Sequence, residues 1–198
     1  VIEGVVELLQ ENKIKSSNIK MIIHGTTLAT NAVIERKGAK TCFITTEGFR
    51  DVLDIGYESR FDQYDILIEK TMSLVPRKHR YVIEERTDIN GSIIKPINAK
   101  KFQSLVDNIK KEKFESIGIG FLHSYANSKN ENDIKEFLLK HLQDVEVSIS
   151  SDVCPEIREY ERFTTTVVNS YIKPLMSSYL KKLENELKQK GFNCPLLL

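Results

Sequence analysis

Short apolar runs alternate with amphipathic helical stretches along most of this chain, and that alternation limits the fold more than any other feature. Met21-Ile22-Ile23, Thr41 to Thr45, Ser116 to Leu122 and the alternating Val145, Val147 and Ile149 read as strands. Between them, Phe102, Leu105, Val106 and Ile109 line one face of a helix over 99–112, and a further helix spans 129–142. Ile172, Leu175, Tyr179, Leu183 and Leu187 stripe a long helix from about Tyr160 to Gln189. Strand–helix–strand order of this kind implies an α/β fold, a mixed sheet flanked by helices. Strands 21–24, 41–45 and 116–122 are expected to share one sheet.

Local signals refine this outline. Ile2, Val5, Val6 and Leu9 recur at helical spacing, so the chain opens on an amphipathic helix. Tyr81 to Glu85 and Ser92 to Lys95 read as a hairpin around Asn90-Gly91. Gly118 and Gly120 permit close packing on their strand. Ser128 and Glu131 have the spacing of a capping box. Pro174 is expected to kink the long helix, which stops at Gly191. Periodicity fades after Glu47, and 56–80 is the candidate junction between subdomains.

Two strand-to-helix turns carry the polar residues that suit a site. The first is His24-Gly25-Thr26-Thr27-Leu28-Ala29-Thr30-Asn31, entering a helix over 27–37 that ends at Gly38. At the carboxyl edge of a parallel sheet such a turn meets ligands, and its hydroxyls and N–H groups suit a phosphate or an oxyanion. The same hydroxyls also suit a plain helix cap. The second turn, His123-Ser124-Tyr125-Ala126-Asn127, repeats the pattern. If their strands are parallel neighbours, both imidazoles lie near one edge. By residue type and position, Thr26, Thr27 and Asn31 would hold phosphate or substrate oxygens beside His24, and His123 would serve as acid or base.

Other charged clusters have a bland reading beside a functional one. Asp51, Asp54, Glu58, Arg60, Asp62 and Asp65 crowd one segment without the spacing of a calcium loop, which reads as solvated loop carboxylates. Within it Arg60 is the candidate clamp for a carboxylate or imide edge. Glu156, Arg158, Glu159, Glu161 and Arg162 gather at the mouth of the long helix, as a solvated ion-pair network or as ligand contacts. Cys42, Cys154 and Cys194 lack metal-ligand spacing, so no metal site is expected, and a reducing cytoplasm fits them best. Cys42 reads as a small buried hydrophobe.

Bulk charge narrows the partners. With 29 Lys plus Arg against 28 Asp plus Glu, no global field draws in nucleic acid or an anionic membrane. No apolar run approaches the roughly 20 residues that span a bilayer. Val1 starts mid-pattern on a helix, without the charged start of a signal peptide.

The run His24 to Gly38, followed by Thr45-Thr46-Glu47-Gly48-Phe49-Arg50-Asp51-Val52-Leu53-Asp54-Ile55-Gly56, resembles the N-terminal region of the hydantoinase A / 5-oxoprolinase family. Leu74-Val75-Pro76-Arg77, Glu84-Glu85-Arg86, Phe121 to Asn127 and Ser150 through Asn169 agree in the same order, so the resemblance covers nearly the whole chain. It implies an actin-like ATPase fold of the kind found in sugar kinases and heat-shock chaperones. It implies ATP with Mg2+ as cofactor, a cyclic amide (hydantoin or 5-oxoproline) as substrate, and a hydantoinase B-type partner subunit. In the ketone carboxylases of the family, the substrate is a ketone such as acetone or acetophenone. A non-catalytic scaffold half is the alternative from another class.

The family's Asp-x-Gly-Gly-Thr and Gln-Ser-x-Gly-Gly phosphate segments would fall before Val1 and after Leu198. The resemblance therefore implies an incomplete N-terminal domain over 1–198, one that neither hydrolyses ATP nor binds it tightly alone.

Overall fold

The computed structural model describes residues 2–57, 62, 64–68, 71–98 and 102–198, so Arg60 lies outside the described residues. The chain divides into two compact units, Val1–Lys37 with Leu175–Leu198, and Gly38–Pro174. The stretch 56–80, expected as a junction, falls inside the second unit, and the divisions come at Gly38 and after Pro174.

The second unit is built on a four-stranded sheet of β2 (Thr41–Thr46), β3 (Arg80–Ile83), β6 (Ser116–Gly120) and β7 (Glu146–Ile149), in the order β3-β2-β6-β7. All three pairings are parallel, with Phe43 beside Arg80 and Gly118, and Ile117 beside Val147. Strand β2 is buried along its whole length, as a parallel strand covered on both faces must be. On one face, Cys42, Ile44, Ile117, Ile119, Val147 and Ile149 pack with Leu105, Val106 and Ile109 of α4 (Gln103–Glu112) and with Ile134 and Leu138 of α5 (Lys129–His141). On the other, Phe43 meets Phe163 and Val167 of α7 (Glu159–Gln189). The expected role of the two strand glycines holds. A Cβ on Gly120 would sit 2.5 Å from the Phe163 ring, and one on Gly118 would sit 3.0 Å from Ser170 Oγ.

The first unit holds α1 (Ile2–Glu11), the short β1 (Ile22–Ile23), α2 (Leu28–Ile34), the end of α7 and β8 (Leu196–Leu197). Its core is Ile2, Leu9, Leu183, Leu187 and Phe192, with Ile22, Tyr179 and Leu196 partly buried against them. Helix α7 ends at Gln189, and Gly191 takes φ +81°, as a glycine stop requires. Pro174 lies inside α7, which runs on through it.

The structure corrects four expectations. Strand β1 does not join β2 and β6; it pairs in parallel with β8, Ile22 beside Leu196, in a separate sheet. Two residues of strand have too little periodicity to reveal a partner this distant in sequence. The hairpin is β4 (Arg86–Thr87) with β5 (Ile93–Lys95), whereas 80–83 is the edge strand of the parallel sheet. The capping box does not form. Glu131 is drawn into a buried network, and Asn127 Oδ1 instead accepts the Lys129 N–H at 3.0 Å. Asp51 and Asp54 are not free loop carboxylates. Each holds an arginine by two bonds, Asp51 with Arg77 at 2.7 and 3.0 Å and Asp54 with Arg80 at 2.6 and 2.7 Å. Arg77 holds the Asp51 carboxyl below its ordinary value.

Candidate functional site

The opening turn is anchored at its histidine. The His24 N–H donates to Leu197 O at 2.9 Å, and His24 Nε2 lies 2.7 Å from the Tyr179 hydroxyl. Thr27 occupies the N-cap position of α2 without a side-chain cap bond. The neighbouring Thr26 Oγ1 accepts the Leu28 N–H at 3.2 Å, and Asn31 Nδ2 reaches Thr27 Oγ1 at 3.4 Å. Thr26, Thr27 and Asn31 are exposed. Helix α2 has only seven residues, so its dipole is a weak ground for anion binding and the exposed hydroxyls and amide carry any such role.

His123 belongs to another edge. Because β1 lies outside the four-stranded sheet, the strands ending at His24 and His123 are not neighbours. His123 follows β6 with φ +56°, half-buried, its Nδ1 3.3 Å from the Tyr125 hydroxyl. Few non-glycine residues adopt that backbone.

Beneath this turn, a polar network ties together the carboxyl ends of the strands. Glu131 is fully buried, and its carboxylate accepts four donors. Oε1 takes the Phe121 N–H (2.9 Å) and the Ser150 hydroxyl (2.6 Å); Oε2 takes the Ser151 N–H (2.9 Å) and hydroxyl (2.7 Å). Ser150 in turn accepts Arg162 Nε–H at 3.1 Å. The guanidinium of Arg162, 1% exposed, donates onward to Glu156 O at 2.7 Å and Phe121 O at 2.9 Å, and lies 5.4 Å from the Tyr125 ring. Burial pulls the Arg162 pKa down, and Glu131 is the foremost charge opposing that shift. A second buried carboxylate, Glu85, accepts the Thr46 hydroxyl and Asn130 Nδ2 (2.8 Å), and burial raises its pKa.

Arg162 thus joins the His123 turn to the segment around Glu156. The expected surface ion-pair network is absent there: among the described residues Glu156, Arg158, Glu159 and Glu161 form no salt bridge, and Glu156 contributes its carbonyl. The sequence reading placed Glu131 in a capping box and Arg162 in a surface cluster, and missed their burial because charged residues are read as solvated. The available signal was positional, since Glu131 falls on the stripe of Ile134 and Leu138, and Arg162 on that of Thr166 and Ser170.

Arg158 and Glu161 line a cleft of about 550 Å³. Its other wall is Gly48, Phe49, α3 (Val52–Ile55), Gly56 and Tyr57. Asp54, paired with buried Arg80, fastens α3 to β3. Gly56 has φ +54° and ψ −128°, and a Cβ there would stand 3.3 Å from the Tyr160 ring, which meets Tyr57 edge-on at 5.1 Å. Arg158 has φ +74°, and Glu161 Oε2 is buried with no hydrogen-bond partner among the described residues. The cleft is therefore lined by apolar and aromatic residues together with Arg158, Glu159 and Glu161.

The pattern of the hydantoinase/oxoprolinase N-terminal region matches residues 1–142. An uncharacterized protein of Methanocaldococcus jannaschii is 42% identical over 96% of this chain and 28% of its own length. Caprolactamase subunit alpha of Pseudomonas jessenii is 32% identical over 88% of this chain and 25% of its own. 5-Oxoprolinase 1 of Arabidopsis thaliana is 29% identical over 90% of this chain and 16% of its own. The crystal structure of ATP-dependent caprolactamase from Pseudomonas jessenii superposes on 98% of this chain with a TM-score of 0.88 and 29% identity, covering 29% of that chain. The present chain thus spans about a quarter of the length of the first two relatives. With most of its length inside the matched region, the chain belongs to the hydantoinase/oxoprolinase family.

Proposed function

We propose that this chain is part of the N-terminal, actin-like half of an ATP-dependent enzyme that opens a cyclic amide ring. The observation that carries this reading is its superposition, nearly end to end, on a region of an ATP-dependent caprolactamase. A ring amide is a poor electrophile, and phosphorylation activates it toward water. The chain's task is then to position the ring and to stabilise charge developing on oxygen. The exposed Thr26, Thr27 and Asn31 are assigned to phosphate or substrate oxygens, with His24 fastening their turn. His123, held at the sheet edge beside Tyr125, is the acid or base. The principal ATP contacts are assigned to polypeptide beyond these residues, and this chain alone is inactive. Mg2+ is proposed to enter with ATP, bound through its phosphates. A hydantoinase B-type subunit completes the enzyme; the caprolactamase relative is itself named as an alpha subunit. Three free cysteines suit a reducing, cytoplasmic setting.

The test is an assay of the full-length protein with its partner subunit and ATP against 5-oxoproline, N-methylhydantoin and acetone. Ring opening coupled to ADP formation is expected. Carboxylation of acetone, or no ATP-coupled turnover, overturns the reading.

A further inference from the structure

Side chains hold two consecutive backbone N–H groups at the point where β6 turns toward His123. The β2–β6 ladder ends at the pair Thr45 and Gly120, and the N–H groups of Phe121 and Leu122 lie past it. The Phe121 N–H goes to Glu131. The Leu122 N–H goes to Thr46 Oγ1 at 2.9 Å, and the same hydroxyl donates to Glu85 Oε1. Glu85 in turn accepts Asn130 Nδ2 at 2.8 Å. Thr46, Glu85 and Asn130 are all buried, so this chain of bonds runs inside the protein. A hydroxyl has one hydrogen to give; with it committed to Glu85, the Thr46 oxygen turns a lone pair to Leu122. An apolar pair at 46 and 85 would fill the same space and leave a buried donor unpaired. His123 comes next, at φ +56°, and its carbonyl accepts the Ala126 N–H at 2.9 Å. A backbone in that region persists where its surroundings fix it.

We propose that Thr46, oriented by Glu85, is a positioning residue for His123. The inference rests on the reading of His123 as acid or base in ring opening. Proton transfer needs hydrogen-bond reach, and an imidazole displaced by about 1 Å loses much of its effect. Thr46 acts through the backbone: it fixes the peptide from which His123 departs, as Glu131 fixes the one before it. Loss of the Thr46 hydroxyl therefore slows the chemical step and leaves the binding of ring and ATP unchanged.

The experiment measures kcat and KM of the full-length enzyme with its partner subunit and ATP, on whichever of caprolactam, N-methylhydantoin and 5-oxoproline wild type opens fastest. Thr46→Val keeps the shape and removes the hydroxyl. Its kcat is expected to fall about ten- to a hundredfold, with KM for the ring and for ATP within about twofold of wild type. Thr46→Ser keeps the hydroxyl and is expected to retain wild-type kcat. His123→Ala is expected to lower kcat about a hundredfold or more, and adding Thr46→Val to it to lower kcat no further. Thr46→Ala leaves room for a water between Glu85 and the Leu122 N–H, so it gives the same reading if Thr46→Val fails to fold. Three results overturn the positioning role and leave His123 as acid or base: wild-type kcat, or a loss carried by KM alone, in the folded variants without the hydroxyl; a Thr46→Ser kcat as low as theirs; or the same fractional loss with and without His123. Normal turnover in His123→Ala overturns both, as does a wild type that opens no ring with ATP.

Discussion

Glu131→Gln tests the network that holds the carboxyl edge of the sheet. Each oxygen of Glu131 accepts one backbone N–H and one hydroxyl, from Phe121 and Ser150 on one side and from Ser151 on the other. A carboxamide has one acceptor oxygen. Whichever way it turns, its NH2 faces a backbone N–H, and a rotated hydroxyl relieves only the other contact. A buried donor is left unpaired, at about 1–3 kcal/mol. The substitution also removes the anion that offsets Arg162, which is 1% exposed and linked to Glu131 through the Ser150 hydroxyl. Breaking a buried charge pair from one side costs about 3–5 kcal/mol, a loss that already includes the unpaired donor and so sets the expected destabilisation. For a chain of this size each kcal/mol moves Tm by about 2–4 °C, giving a fall of about 6–20 °C. Urea denaturation and thermal melts of the chain read this directly. Glu131→Gln with Arg162→Met removes both charges and is expected to cost less than the sum of the two single changes. A single-variant loss below about 1 kcal/mol, or strict additivity in the cycle, refutes the reasoning.

Further outcomes follow from the same geometry. Thr27 makes no backbone cap bond, so Thr27→Ala leaves stability within about 0.5 kcal/mol. In the full-length enzyme Thr27→Ala and Asn31→Ala should lower turnover about a hundredfold, and normal turnover in both would remove the turn from the site. Burial raises the Glu85 pKa, so the folded state holds that proton more tightly than the unfolded chain does. Its contribution is most favourable below the ordinary carboxylate range and is lost as pH rises through the raised folded value; the urea midpoint of wild type should fall relative to Glu85→Gln over that window, and parallel profiles would contradict it. Gly120→Ala drives a Cβ to 2.5 Å from Phe163 and 2.8 Å from Phe43, destabilising by about 1–3 kcal/mol, whereas Gly4→Ala on α1 meets nothing within 4 Å and should stabilise by about 0.5–1 kcal/mol, both read by denaturation.

Much of the second unit was legible because burial on both faces writes itself as continuous apolar runs. Strands β2 and β6 and the helices packed on them fall close to where the periodicity put them. Asn90-Gly91 also marks a real turn, with Gly91 at φ +82° and Asp88 Oδ1 accepting the N–H groups of Asn90 and Ser92. What failed were pairings between distant residues. Nothing local in Ile22-Ile23 points to Leu196-Leu197 as its sheet neighbour. The arginine that binds Asp54 lies 26 residues onward, and Asp54 alone reads as a loop carboxylate. Of the site, the charged mouth of α7 was visible as a cluster. That Arg162 turns inward while Arg158 and Glu161 line a cleft depends on helix phase against a sheet whose glycines set the spacing.

The most direct test of the central claim is the coupling ratio in the full-length enzyme with its partner subunit. ATP consumption and ring-opened product are followed together on caprolactam, N-methylhydantoin and 5-oxoproline. The account predicts that at least one ring opens with one ADP formed per ring and none opens without ATP. Ring opening independent of ATP, or ATP hydrolysis unaffected by every cyclic amide, would contradict it.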